Sequence, residues 1–92
     1  SAEQALQWGM IWQVTEDDAL TDTVQQLAQH LATQPTYGLG LIKKAIYCAA
    51  TNTLDEQLDL ERDLQRLGGR SEDYREGVNA FLNKREPQFK GK

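Results

Sequence analysis

Cysteine is nearly absent. Cys48 stands alone, so the chain can form no internal disulfide, and a thiol-based zinc site lacks its ligands. His30 is likewise the single histidine, which leaves a histidine-rich metal centre without a second donor. A reducing compartment fits this composition, and the cytoplasm is the expected location. No apolar run approaches the roughly 20 residues that a membrane helix requires, and the start of the chain lacks the charged and apolar regions of a secretion signal. No membrane partner is expected. Positive charge is scarce too: 10 Lys and Arg stand against 14 Asp and Glu, a formal net charge of −4. A nucleic-acid binder should show a broad basic face, so no nucleic-acid partner is expected.

What remains is ordinary globular material, with 39% hydrophobic and 26% charged residues. Ninety-two residues make one small domain at most, and a chain this short hides only about 60–65% of its unfolded surface. The segment "AEQALQWG" predicts a helix end, with Ala2, Ala5 and Leu6 on one side and Gly9 where a C-terminal cap needs a left-handed residue. "MIWQV", Met10 to Val14, is β-branched and aromatic and predicts one strand, apolar on both faces. No second strand follows it, and a lone strand cannot satisfy its own backbone groups.

From "TEDD" onward the periodicity is helical, with acidic residues in the first turn. Leu20, Val24, Leu27 and Leu31 form one stripe. Pro35 then either breaks the chain or opens the next helix. In that helix Leu39, Ile42, Ile46 and Ala49, widened by Leu41, Ala45 and Cys48, predict the most buried face. Gly38 and Gly40 imply close backbone packing or a frayed start there. "TLDE" is a capping box, in which Thr53 caps the third helix and Glu56 reaches back. Leu54, Leu58, Leu60, Leu64 and Leu67 supply its apolar side, and Gly68-Gly69 is expected to end it. Ser71 caps a fourth helix with Glu72 and Asp73 in its first turn; its buried face is predicted to be Tyr74, Val78, Phe81 and Leu82, with Pro87 closing it. The fold class is therefore mainly α, about four helices preceded by one orphan strand.

Most polar candidates have a plain structural reading. Asp55, Asp59 and Asp63 lie at four-residue steps, but divalent sites gather ligands from a looped or convergent backbone, so a solvated or docking face is the simpler account. His30 lacks the positioned partner a general base needs. Cys48 sits among Ala45, Ala49 and Ala50 and reads as a small apolar residue, while Lys43 and Lys44 read as side chains lying over an apolar face. No metal-ligand set emerges. The tail "EGVNAFLNKREPQFKGK" differs in kind, because from Lys84 onward Lys84, Arg85, Lys90 and Lys92 stand against Glu86 alone. Phe81 and Lys84 are three residues apart and share a face on a helix. A ring beside an ammonium suits a nucleotide; it suits equally a helix end, where cations meet the dipole and Phe81 joins the core.

The stretches "AEQALQWGMIWQV", "LAQHLATQP", "LIKKAI" and "LDLERDLQRLGGRSEDYREGVNAFLNKREPQFKGK" together resemble the C-terminal portion of the crotonase (enoyl-CoA hydratase/isomerase) superfamily. Ser71, Asp73, Glu76, Gly77, Ala80, Phe81, Lys84, Arg85, Pro87 and Phe89 match its closing motif. Trp8 and Trp12, "LATQPTYGLGLIK" and "LDLERD" resemble the branch of isomerases that convert ring-1,2-epoxyphenylacetyl-CoA to oxepin-CoA in bacterial phenylacetate degradation.

The resemblance implies that residues 1–14 are a remnant of the crotonase spiral core, holding its last strand. Residues 15–92 would form the C-terminal helical trimerisation and CoA-lid region. The catalytic carboxylates and the oxyanion-hole amides would lie in the spiral, outside these residues, so no catalytic residue is assigned here and the chain alone is expected to be inactive. Phe81 and Lys84 match positions near the adenine and phosphates of coenzyme A, commonly one held by the neighbouring subunit. The resemblance implies an acyl-CoA thioester as substrate, no tightly bound cofactor, a homo-oligomeric parent (trimer or dimer of trimers) and self-association of the fragment. Two other readings stay open: an enoyl-CoA hydratase, a lyase of fatty-acid or aromatic catabolism, and a free-standing helical interaction module.

Overall fold

Local hydrogen bonding at the chain's helix ends decides where each helix starts and stops. The computed structural model describes residues 1–92 and contains five helices: α1 (Ala2–Gln7), α2 (Leu20–Ala32), α3 (Thr36–Ala49), α4 (Leu54–Gly69) and α5 (Glu72–Leu82). The chain divides into two compact units, residues 1–30 and 31–92.

In the first unit, the Gln4 amide donates to the Ser1 hydroxyl at 3.2 Å while the Ser1 amino group donates to the Gln4 side chain at 2.8 Å. This reciprocal cap starts α1. Its other end closes at Gly9, whose φ of 72° is the left-handed value expected there. The Gly9 amide donates to Leu6 O at 3.0 Å and the Met10 amide to Ala5 O at 2.9 Å, the paired closure of a Schellman motif. The strand expected at Met10 to Val14 is not formed; the chain bends at residues 10–12 and then runs without regular structure. A strand exists only as part of a ladder, and these residues provide no second strand to pair with. Met10 and Trp12 are 71% and 72% exposed, so the apolar character that suggested a buried strand is present without its cover. Helix α2 starts later than expected. Ala19 closes a turn back onto Glu16 at 3.1 Å, and Asp22 is the acid that occupies the first helical turn.

In the second unit, Pro35 is the cap residue just before α3, at φ −70°. The capping box of α4 forms as the sequence indicates: the Thr53 amide donates to Glu56 Oε2 at 2.8 Å, and the Glu56 amide donates to Thr53 Oγ1 at 3.4 Å. Helix α4 ends at Gly69, as the Gly68-Gly69 pair indicates, and Arg70, at φ −98°, is the cap. A Cβ at Gly68 would lie 3.6 Å from Leu41 Cδ1 of α3, an ordinary packing distance. A Cβ at Gly38 or Gly40 would have nothing within 4 Å, so neither glycine serves a close backbone approach. Gln57 ties α4 to α3 by donating to Ala45 O at 3.1 Å. Ser71 joins α4 to α5: its hydroxyl donates to Gly68 O at 2.7 Å and accepts from the Tyr74 amide at 3.0 Å.

Burial departs from the sequence expectation in two places. Helix α3 has no buried residue, and Ile42 and Ile46 are exposed. In α5 the expected face of Tyr74, Val78, Phe81 and Leu82 is exposed, whereas Asp73 and Ala80 are buried. The cause is the tail. After α5 the chain reverses and runs back along the helix on the side of Asp73, Gly77 and Ala80, leaving the bulkier apolar side bare. The Asp73 carboxylate accepts from the Lys90 amide at 2.7 Å and the Gly91 amide at 2.9 Å, and its own amide donates to Lys92 O at 2.9 Å. The last bond satisfies one of the helix's unpaired N-terminal amides. The Phe89 ring lies over Gly77, where a Cβ would touch Cε1 at 3.6 Å.

Gly91 has a φ of 75°, and a Cβ on it would come within 2.5 Å of Thr36 Oγ1 at the start of α3. Gly91→Ala therefore meets both a disfavoured backbone region and a clash. It should destabilise the docked tail by at least about 1–2 kcal/mol, the usual penalty for a side chain in the left-handed region. Urea denaturation checks this, and an unchanged midpoint contradicts it.

Candidate functional site

A carboxylate in the middle of α5 joins that helix to the tail. Glu76 lies on α5, nine residues before Arg85, too far for helical neighbours to meet. The reversal of the tail brings them together: Arg85 places both terminal nitrogens on the Glu76 carboxylate, at 2.6 Å and 2.9 Å. Such two-point pairing fixes direction as well as distance. The Gln88 amide adds a third bond to Glu76 Oε1 at 2.8 Å, and Arg85 also donates to Glu86 O at 3.0 Å. The hydrogen bond from Arg85 and then the one from Gln88 hold the Glu76 carboxyl down at about 2, against an ordinary 4.5, and the same pairing pushes Arg85 up.

Between Ala80 and Arg85 the helix closes on Lys84. The Lys84 amide donates to Phe81 O at 3.2 Å and the Arg85 amide to Ala80 O at 3.0 Å, a second Schellman closure. Here the left-handed residue is a lysine, with φ 51°, and it is the only non-glycine residue of the chain at positive φ. A side chain in that region costs about 1–2 kcal/mol, and such residues persist where the surroundings over-determine them. Phe81 and Lys84 do not share a helical face, because α5 ends at Leu82 and Lys84 belongs to the turn beyond it. Both are exposed, Phe81 to 82%, so Phe81 is not a core residue.

Phe81 opens instead onto an apolar groove of about 790 Å³ lined by α3, α4 and α5. Its walls carry Leu41, Ile42 and Ile46 from α3, Leu64 from α4, and Tyr74, Val78 and Leu82 beside Phe81 on α5. Lys84 does not line it. The groove is the exposed apolar side left by the tail.

The remaining polar candidates supply neither a partner to the Glu76–Arg85 pair nor a wall to the groove. Arg62 pairs with Asp59 at 2.7 Å and Asp63 at 3.2 Å, and Arg66 stands 3.6 Å from Asp63, so two of the three aspartates on α4 are engaged by cations. Cys48 is half-buried on α3, and His30 lies in the last turn of α2. Only Lys84 and Arg85, of the tail's four cations, lie at the negative end of α5. The reversal carries Lys90 and Lys92 back toward its start, where Lys92 lies 3.9 Å from Glu72. Two residues of consequence, Asp73 and Glu76, are marked in the sequence only as a first-turn acid and as positions of a motif. Their partners lie nine to eighteen residues away, and only the chain reversal creates the contact.

The profile of the family described as Enoyl-CoA hydratase/isomerase matches residues 1–92. The chain belongs to the enoyl-CoA hydratase/isomerase family. It is 76% identical over 92 residues to the 1,2-epoxyphenylacetyl-CoA isomerase of Escherichia coli K12, covering all of this chain and 35% of that protein. Among solved structures, enoyl-CoA hydratase subunit I of Geobacillus kaustophilus HTA426 superposes with a TM-score of 0.91 at 41% identity, covering 100% of this chain and 36% of that one. An enoyl-CoA hydratase of Polaromonas sp. JS666 gives a TM-score of 0.83 at 35% identity, covering 98% of this chain and 35% of the other. The chain thus spans about a third of the length of these relatives, and its helical architecture is that of the corresponding part of a crotonase fold. No helix is long and apolar enough to cross a membrane.

The Glu76 pairing has a pH signature. Its folded value lies below its ordinary one, so ionised Glu76 stabilises the docked tail in full above about 4.5 and that contribution is lost as pH falls toward about 2. Between about pH 5 and about pH 3 the chain should lose more stability than its Glu76→Gln variant does. Denaturation midpoints measured across that window check this, and parallel slopes for the two proteins contradict it.

Proposed function

We propose that the chain is the C-terminal helical part of an acyl-CoA isomerase that converts ring-1,2-epoxyphenylacetyl-CoA to oxepin-CoA in phenylacetate catabolism. The observation that carries this reading is the 76% identity, maintained across all 92 residues, to an isomerase of that name. Residues 1–14 belong in this reading with the spiral core of the whole enzyme, and residues 15–92 form its oligomerisation and CoA-lid region. The bare apolar side of α3 and α5 supports the association role, since exposed patches of this kind usually mark interfaces. Assembly as a homo-oligomer in the cytoplasm is part of the same proposal.

The chemistry expected of the whole enzyme is polarisation of the thioester carbonyl by an oxyanion hole and proton movement by a carboxylate. We assign neither task to a residue of this chain. Its contribution is to the coenzyme: Phe81, exposed at the end of α5, offers a ring to the adenine, and Lys84 offers an ammonium to the phosphates.

The test is turnover by the full-length enzyme carrying this chain. The epoxide of phenylacetyl-CoA should be isomerised in preference to hydration of a 2-enoyl-CoA, and the isolated 92 residues should turn over neither. Preferential hydration would transfer the protein to the enoyl-CoA hydratases. Lys84→Ala should raise KM about tenfold, the effect of about 1.4 kcal/mol, with a smaller change in kcat; an unchanged KM removes Lys84 from the coenzyme site.

A further inference from the structure

Lys84 is held in its left-handed turn from both sides. Upstream, the two amide bonds back onto Phe81 and Ala80 close the helix. Downstream, the very next residue, Arg85, is locked two-pronged onto Glu76, and Gln88 is anchored to the same carboxylate. Glycine is the usual residue at such a position, because it has no side chain to strain. A lysine there, bracketed by a carboxylate that has no other partner on α5, indicates that the direction of the side chain matters more than the ease of the turn.

We infer that Glu76 is a positioning residue: by fixing Arg85 and the Gln88 amide it keeps Lys84 in its left-handed conformation and so aims the Lys84 ammonium at the phosphates of coenzyme A. This rests on the reading of Lys84 as a coenzyme contact given above. Glu76 itself touches no coenzyme in this account, and it acts only through Lys84. Removing its charge should therefore matter to the coenzyme as long as Lys84 is a lysine and should not matter otherwise.

The experiment is a double-mutant cycle in the full-length enzyme, with the dissociation constant of coenzyme A measured by calorimetry. Glu76→Gln should weaken binding about three- to tenfold, a coupling within the range found for residues of one network. Lys84→Ala should weaken it by at least as much, and adding Glu76→Gln to Lys84→Ala should weaken it no further. Arg85→Gln, which removes the other half of the pair, should reproduce the pattern and serves where the first variant is poorly folded. If Lys84→Ala weakens binding and Glu76→Gln does not, the positioning role is wrong and the coenzyme contact survives. If the two effects multiply, Glu76 acts independently of Lys84 and the inference is overturned. If Lys84→Ala leaves binding unchanged, the coenzyme contact and the positioning role fall together.

Discussion

The Asp73 carboxylate is the group on which the second unit depends. It is 3% exposed and accepts two backbone amides from the tail, while its own amide donates to a third tail residue. Hydrogen bonds to a charged group each contribute about 1.5–3 kcal/mol net, and a buried carboxylate without them would be strongly unfavourable. Because the anchor sits at the start of α5 and the tail leaves from its end, docking compels the intervening residues to lie along the helix. That path puts Phe89 on Gly77, brings Arg85 to Glu76 and seats Gly91 against Thr36 of α3. Small residues line the path of the strap: a Cβ at Gly77 would rest in ordinary contact on the Phe89 ring, Ala80 is 1% exposed, and Gly91 sits at the clash point.

The same strap explains which side of α5 is bare. A hydrophobic stripe in sequence reports which face is apolar; it does not report whether these residues supply its cover. Tyr74, Val78, Phe81 and Leu82 form a valid stripe, yet the tail covers the opposite side, and the stripe becomes one wall of the groove. Helix α3 tells the same story from the other wall. The segment at Met10 to Val14 is the extreme case, since its residue types favour a strand but pairing is a property of two segments.

Features closed within four or five residues were legible. The Thr53–Glu56 box, the Ser71 cap and the left-handed Gly9 each form as their sequences indicate, because both partners lie within one turn. The start of α2 was misjudged by a few residues, as local acidic preference allows several registers. The Asp73 and Glu76 contacts were not legible as geometry, because their partners are nine to eighteen residues distant. The motif "SEDYREGVNAFLNKREPQFKG" carried them only as a likeness. Membership of the enoyl-CoA hydratase/isomerase family, in contrast, was readable from that motif and is what the whole-chain match supports. The structure adds a physical reason for several of its positions: an anchor, a brace, two small-residue approaches and a strained lysine.

The most direct test of the strap is amide hydrogen exchange on the 92-residue chain carrying Asp73→Ala. The account predicts that the Lys90 and Gly91 amides lose their protection while the Glu56 amide, held within its own capping box, keeps its own. Full protection of Lys90 and Gly91 in that variant would contradict the claim that the carboxylate of Asp73 holds the tail.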